Sequence, residues 1–116
     1  MSIAHCLFCK IRDGHIAARV VYRDDVCLAI EDINPQAPTH VLIIPLKHIA
    51  TVNDVTMEDR QTVGHLYTVA AKVAQERGHA DRGYRLVMNC NEDAGQTVFH
   101  LHLHLIAGRL MGWPPG

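Results

Sequence analysis

The chain lacks several features that would place it in a major class of protein. None of its apolar runs approaches the roughly 20 residues that cross a bilayer, so we expect no membrane anchor. Basic and acidic residues nearly balance, with a formal net charge of −1. This balance argues against a dedicated nucleic-acid or membrane surface. The first residues show neither the basic nor the apolar segment of a signal peptide, so we expect a cytoplasmic protein.

Repeats, low-complexity segments and linkers are also missing. The 116 residues suffice for one compact domain, and 48% of them are apolar, enough for a real core. No Walker-type phosphate loop and no carboxylate pair suited to Mg²⁺ occurs, which argues against a metal-dependent kinase or ATPase. We therefore predict a single domain over residues 1–116.

Hydrophobic patterning predicts five strands. They are expected over residues 19–23, 26–30, 40–46, 84–89 and 98–106. Asp24 and Asp25 form a plausible tight turn between the first two strands, and Pro45 is expected to end the third. Cys27 and Cys90 lie inside apolar runs and are predicted to be small buried core residues.

A single long helix is predicted between the third and fourth strands. Thr56 and Asp59 resemble a capping box at its start, and Gly78 is a typical stop signal at its end. Apolar residues recur at helical spacing in between, at Val63, Leu66, Tyr67, Ala70, Val73 and Ala74. One helix beside five strands indicates an α+β fold with a mainly antiparallel sheet.

The strongest chemical signal is the alternation of histidine and leucine from Phe99 to Ile106. Strand side chains alternate faces, so His100, His102 and His104 share one face, with neighbours about 6.5 to 7 Å apart at Cα. Three adjacent imidazoles need several hydrogen-bond partners each, so this face should line a polar pocket. A solvent-exposed strand face that is rich in histidine by chance is the plainer alternative.

Two chemical roles remain open for the histidine row. Pairs of the H-x-H type chelate metals well, so a catalytic metal is one possibility. Alternatively, one imidazole is a nucleophile toward phosphorus and its neighbours orient it. No carboxylate adjoins the row in the sequence, and residues 95–97 (Gly-Gln-Thr) supply amides and a hydroxyl suited to phosphate, which favours the nucleophile.

The same segment resembles the signature of the histidine-triad (HIT) family of nucleotide hydrolases and transferases. Residues 32–40 (DINPQAPTH) and 113–116 (WPPG) are similar to its Hint branch, and the similarity runs from about Phe8 to Gly116. The resemblance implies a HIT-like fold, with a short N-terminal helix or knuckle before the sheet. It also implies a homodimer whose sheets join across a two-fold axis.

The resemblance also assigns roles around a phosphate site. It implies that His102 is the nucleophile, which forms a nucleotidyl-histidine intermediate, and that His104 and His40 line the phosphate side. The residues that match the phosphate-binding segment are Asn89, Gly95, Thr97 and Val98. Hint proteins commonly have serine where this chain has Thr97, which keeps the hydroxyl and adds a methyl group.

The nucleoside would occupy a second part of the site. The resemblance implies that Asp32 holds the ribose hydroxyls, although a turn cap before Pro35 is a plainer role for it. The matches to the apolar walls around the purine are Leu7, Phe8, Ile11, Ile33 and Leu42, for which simple core packing is the alternative. Trp113 would reach the active site of the partner subunit and help select the amine side of the substrate.

Cys6 and Cys9 form a C-x-x-C pair, which alone leaves a tetrahedral zinc site incomplete. Some HIT proteins complete such a site with two histidines, and the resemblance matches these to His48 and His100. We therefore expect structural zinc, with free thiols as the alternative. No cofactor is expected for catalysis.

The expected activity is that of a purine nucleoside phosphoramidase. It would release AMP from adenosine 5′-phosphoramidates and aminoacyl adenylates, with AMP and GMP conjugates as the substrate class. One alternative is a dinucleoside polyphosphate hydrolase, which the QAPTH turn and the WPPG tail argue against. Another is an AMP-binding regulatory module with little turnover.

Overall fold

A five-stranded antiparallel sheet organises the chain. The computed structural model describes residues 3–116, and its strands run in the spatial order β1-β2-β3-β5-β4, each antiparallel to its neighbours. The strands are β1 (Val20–Arg23), β2 (Cys27–Glu31), β3 (Thr39–Pro45), β4 (Tyr84–Val87) and β5 (Leu103–Ala107). The predicted α+β class is confirmed.

Two α-helices accompany the sheet, α1 (Leu7–Arg12) and α2 (Arg60–Glu76), and short 3₁₀ turns cover Ile3–His5, Val52–Asp54, Met57–Asp59 and Glu92–Ala94. The predicted capping box is present, because the Thr56 backbone N–H donates to the Asp59 carboxylate at 2.9 Å just before α2. Gly78 follows the helix with a φ of +80°, the left-handed conformation that ends helices. Within residues 3–116, no helix has both the length and the apolar character that a bilayer span requires.

The buried face of α2 differs from the prediction at Tyr67, and Val63 is only partly buried against the core. Its buried residues are Leu66, Val69, Ala70, Val73 and Ala74. Tyr67 is 43% exposed and is not on this face, contrary to the expectation. Val69 takes its place, three residues from Leu66 and four from Val73, which is the spacing that keeps side chains on one side of a helix.

The sheet separates two cores, because alternate residues of its central strands point to opposite faces. On the α2 face, Val41 and Ile43 of β3 pack with β5 and the helix. On the opposite face, Leu42 and Ile44 pack with Cys6, Phe8 and Cys9 around α1. β3 is buried along its whole length, which explains its nearly continuous apolar sequence.

The last strand is shorter than predicted. β5 begins at Leu103, and residues 98–102 lie outside the ladder instead of extending it. Two hydrogen bonds account for this exit: the Leu101 N–H donates to the Ile49 carbonyl at 2.6 Å, and His100 Nε2 donates to the Pro45 carbonyl at 2.8 Å. Residues 100 and 101 thus form hydrogen bonds with the end of β3 and the loop after it instead of with a neighbouring strand.

Two further elements bear on the predictions. β4 ends at Val87, two residues before the predicted end. Cys27 is buried as expected. Cys90 is only half-buried because it follows the end of that strand, so its assignment to the core was wrong.

Asp24 forms the predicted turn between β1 and β2. Its carboxylate accepts from the Val26 and Cys27 N–H groups at 2.8 Å, and His65 of α2 lies 2.6 Å from the same carboxylate.

Candidate active site and metal centre

A cavity of about 920 Å³ opens on the sheet face that packs against α1. This volume lies in the range of small-molecule sites. Its lining includes most of the residues that the sequence nominated: Leu7, Phe8, Ile11, Asp32, Ile33, His40, Leu42, Thr97, Val98, His102 and His104. The cavity therefore combines an apolar wall with a histidine-rich end.

His102 presents a free lone pair within this cavity. Its Nδ1 lies 2.8 Å from the His100 carbonyl oxygen, and a carbonyl only accepts, so the ring proton is on Nδ1. The lone pair is consequently on Nε2. Burial lowers the pKa of His102 below its usual range, which favours the unprotonated form. An imidazole in this state is poised to act as a nucleophile.

A chain of hydrogen bonds places the ring proton of His104 on the other nitrogen, Nε2, so that His104 has the opposite polarity to His102. The Gln36 backbone N–H donates to His40 Nδ1 at 3.0 Å, so the proton of His40 is on Nε2. That Nε2 lies 2.9 Å from His104 Nδ1, which must accept. The proton of His104 is therefore on Nε2, where it can be donated to a ligand. Burial, and after it the neighbouring histidines, lowers the pKa of His104 to about 4.

The fold also brings a carboxylate to the histidines, although none adjoins them in the sequence. Asp32 Oδ2 lies 3.4 Å from His40 Nε2. The other oxygen of the same carboxylate accepts from the Asn34 N–H at 2.8 Å, so the turn-cap role holds as well. Asp32 lines the cavity beside its histidine-rich end.

Asp32, His40 and His104 lie close enough together to suggest a metal site. The position of the proton on the His40 ring argues against one. A metal on His40 Nε2 would require the ring proton on Nδ1. That proton would then point at the Gln36 N–H, placing two donors against each other at 3.0 Å. We interpret this cluster as a hydrogen-bond relay.

A second cluster fits a metal far better. Ligand atoms of Cys6, Cys9, His48 and His100 all lie within 4.8 Å of one another. His100 Nδ1 lies 3.2 Å from Cys6 Sγ, 3.5 Å from Cys9 Sγ and 3.2 Å from His48 Nδ1. Ordinary Zn–S and Zn–N bonds in a tetrahedron place ligand atoms about 3.3 to 3.8 Å apart. The cluster therefore has the dimensions of a zinc site.

The position of the ring proton on His100 also suits a metal ligand. Its Nε2 donates to the Pro45 carbonyl at 2.8 Å, which leaves the Nδ1 lone pair facing the two sulfurs. Such a second hydrogen bond is the usual way in which a protein orients a metal-binding imidazole. Burial raises the pKa of Cys9 to about 11 and lowers that of His100 to about 4, because each charged form is desolvated.

Comparisons with known proteins identify the family of the chain. The profile of the HIT domain matches residues 13–111. The chain is 52% identical to the purine nucleoside phosphoramidase of Escherichia coli K12 over 91% of its own length and 89% of that protein. The chain belongs to the HIT family.

Solved structures of the HIT family extend the likeness to the fold. A HIT family hydrolase from Legionella pneumophila superimposes with a TM-score of 0.95 at 55% identity, covering 97% of this chain and 100% of that one. One from Clostridium thermocellum gives a TM-score of 0.92 at 47% identity, with 96% of each chain covered. The prediction of a HIT-family hydrolase is confirmed.

Three of the nominated residues do not line the cavity of this HIT domain. Asn89 is half-buried just after β4, and Gly95 is exposed in a left-handed turn with a φ of +85°. Trp113 is 84% exposed and lies outside the cavity. The roles assigned to Asn89, Gly95 and Trp113 stay predictions.

Gln96 supports the site from outside the cavity, a side-chain role that the sequence did not predict. Although it lies between Gly95 and Thr97 in an exposed loop, its side chain is only 5% exposed. Its amide nitrogen donates to the carbonyls of Ala50 at 2.9 Å and Val98 at 3.1 Å, and its oxygen accepts from the Asn91 N–H at 2.8 Å. These bonds attach the segment that carries Thr97 and Val98 to the loop after β3.

Replacing Gln96 by glutamate tests this attachment with almost no change of shape. Glu keeps the acceptor for Asn91 but loses both donors and directs a carboxylate at the carbonyls of Ala50 and Val98. We expect Gln96→Glu to lower the free energy of unfolding by about 1–3 kcal/mol, the cost of unsatisfied buried groups, in chemical denaturation. Gln75→Glu, at an exposed position of α2, is the matched control and should change it by less than about 0.5 kcal/mol. Equal stability of the two variants would contradict the role of Gln96.

Proposed function

We propose that this HIT-family hydrolase cleaves the phosphorus–nitrogen bond of purine nucleoside 5′-phosphoramidates and releases AMP or GMP. The observation that carries the proposal is the hydrogen bond from His102 Nδ1 to the His100 carbonyl, which leaves a nucleophilic Nε2 on the cavity wall. The phosphoramidase name of the Escherichia coli relative supports this substrate class. Aminoacyl adenylates present the same nucleotidyl group and are proposed as further substrates.

The nucleotide would lie along the cavity with its base against the apolar wall of Leu7, Ile11 and Leu42. Asp32 is placed to accept hydrogen bonds from the ribose. The α-phosphate would then reach the end that contains His102 and His104. His104 Nε2 donates to a phosphate oxygen and stabilises the charge that develops there.

The reaction would proceed in two steps. His102 Nε2 attacks the α-phosphorus as the phosphorus–nitrogen bond breaks, and the amine departs with a proton taken from solvent through the Thr97 hydroxyl. The His100 carbonyl stabilises the positive charge on the nucleotidyl-imidazole through Nδ1. Water then attacks phosphorus, the bond to His102 breaks, and one proton returns to solvent. The net reaction consumes one water and yields a nucleoside monophosphate and an amine.

His102→Ala tests the covalent step. We expect it to lower turnover of adenosine 5′-phosphoramidate by at least about three orders of magnitude, as the loss of a nucleophile does, and to leave AMP binding largely intact. Rapid acid quench of the unmodified enzyme should trap a nucleotidyl-protein adduct that the variant never forms.

His15→Ala changes an exposed histidine outside the cavity and serves as the control. If His102→Ala retained a tenth of the activity, the mechanism would be wrong. Faster turnover of a diadenosine polyphosphate would favour the alternative hydrolase.

We further propose that Cys6, Cys9, His48 and His100 hold one zinc ion. When bound, zinc supplies a cross-link between the start of α1, the loop after β3 and the segment before β5. Four protein ligands leave no position for water, so the role is structural. The support is the set of ligand distances and the orientation of the His100 lone pair.

Elemental analysis of purified protein checks the zinc site. We expect about one zinc per chain, loss of zinc in Cys9→Ser and retention in Cys90→Ser, which changes a half-buried cysteine away from the cluster. Chelation should lower the melting temperature of the unmodified chain, because the metal binds only the folded state. A metal-free protein with an unchanged melting temperature would remove the proposal and leave Cys6 and Cys9 as ordinary thiols.

We also propose a two-fold homodimer in which Trp113 contributes to the site of the partner subunit. β1 and β4 form the sheet edges and are each paired on only one side, which leaves backbone groups available to another chain. Leu110 and Trp113 are 95% and 84% exposed, although both are large and apolar. Arg109 and Arg85 anchor the tail, donating to the carbonyls of Gln36 at 2.8 Å and Gly112 at 2.9 Å.

Deletion of residues 111–116 tests the tail. We expect altered relative rates across a series of amine leaving groups with little change in AMP affinity, because the tail would contact only the amine side. Trp113→Leu should reproduce the effect if the indole is responsible. Sedimentation should give the mass of a dimer for the full chain. A monomer at micromolar concentration, or unchanged relative rates after deletion, would contradict the respective half of this proposal.

A further inference from the structure

The aromatic ring of Phe8 contacts two members of the histidine row. Its centroid lies 5.1 Å from that of His102 at an interplanar angle of 81°, and 5.9 Å from that of His100 at 76°. Both contacts are edge-to-face, which is a favourable arrangement for aromatic rings. Phe8 is only 4% exposed. It is therefore a packed neighbour of the proposed nucleophile as well as part of the cavity wall.

The position of Phe8 is set by the cysteines on either side of it. The Cys9 N–H donates to Cys6 Sγ at 3.3 Å, which closes the turn that contains Phe8. Both sulfurs also contact His100 Nδ1, at 3.2 and 3.5 Å. A rearrangement of the four-residue cluster would therefore move the backbone on both sides of Phe8 and displace its ring.

His102 depends on the same cluster by a second route. Its Nδ1 donates to the carbonyl of His100, whose own side chain belongs to the cluster. The His102 ring is thus bounded by the His100 backbone and by the Phe8 ring. The ring of His104, 5.0 Å away, lies against it as well. Two of these three neighbours are fixed by the cysteine–histidine cluster.

We propose that Phe8 is a positioning residue that orients the imidazole of His102 and couples its orientation to the state of the Cys6, Cys9, His48 and His100 cluster. This inference rests on the proposed roles of His102 and of the cluster. It predicts that the cluster affects chemistry at His102 in addition to stability. A purely structural cluster would leave the His102 ring of the folded protein unchanged.

Nitrogen NMR of the full chain, labelled with ¹⁵N-histidine and prepared with zinc, measures the coupling directly. Long-range ¹H–¹⁵N spectra report the tautomer and hydrogen bonding of each imidazole, and loss of signal in His102→Ala assigns His102. In Phe8→Leu we expect displaced His102 resonances, while His65, paired with Asp24 on the other side of the sheet, keeps its own. The kcat should fall by about tenfold or more, as small misplacements of a reacting group do, with a smaller change in KM.

Two variants separate positioning from purine binding and from misfolding. Phe8→Tyr retains the aromatic ring and should restore the His102 resonances and most of the kcat. Leu7→Ala shortens the neighbouring residue of the same cavity wall, which is 38% exposed, and should raise KM without moving the His102 resonances. Thermal melts verify that each variant is folded.

Removal of zinc from the unmodified chain provides the second readout. We expect the His102 resonances to move together with those of His48 and His100. Movement of His48 and His100 alone, or unchanged His102 resonances in folded Phe8→Leu, would overturn the inference and leave Phe8 as purine wall only. If no form of the protein hydrolysed a phosphoramidate, the proposed function would be wrong. The spectra would still show whether the orientation of His102 depends on Phe8 and on the cluster.

Discussion

The hydrogen bond between His100 Nε2 and the Pro45 carbonyl is the constraint on which the site depends. Together with the hydrogen bond from the Leu101 N–H to the Ile49 carbonyl, it draws residues 98–102 away from the ladder and toward the loop after β3. As a result the three histidines, equivalent by strand alternation, acquire different surroundings. His100 is fully buried beside the two cysteines, whereas His102 and His104 line the cavity. These two hydrogen bonds thus separate the proposed metal site from the proposed catalytic site.

β3 provides the frame for this arrangement. It is buried on both faces and pairs with β2 on one side and β5 on the other. Its α2-facing residues belong to the larger core, and the alternate residues belong to the core beneath α1. His40 near its start and the Pro45 carbonyl at its end therefore have fixed positions relative to β5. This rigidity allows hydrogen bonds as short as 2.8 to 2.9 Å to set the polarity of the imidazoles.

Much of the fold follows from local sequence signals. Periodicity located α2 and all five strands, and the capping residues Thr56 and Asp59 lie where predicted. The largest error, the length of the last strand, occurs where long-range contacts determine the structure. Alternation alone extends the last strand back to Val98, because it contains no information about the Ile49 and Pro45 carbonyls. Most of the residues that the motifs nominated for the nucleotide line the cavity. The protonated nitrogen of each ring, by contrast, depends on partners such as Gln36, 68 residues before His104.

The bond between His40 and His104 joins two side chains, but the other three hydrogen bonds that set which ring nitrogen carries the proton share one chemical property. The partners of His100, His102 and His40 are the main-chain groups of Pro45, His100 and Gln36. A side-chain substitution at position 36 or 45 leaves that N–H or C=O in place as long as the backbone path is kept, except that proline at position 36 would remove the N–H. The backbone path therefore determines which ring nitrogen of His40, His100 and His102 carries the proton. As long as His40 is retained, many other side chains around the cavity can therefore change without altering which nitrogen of each imidazole carries the proton.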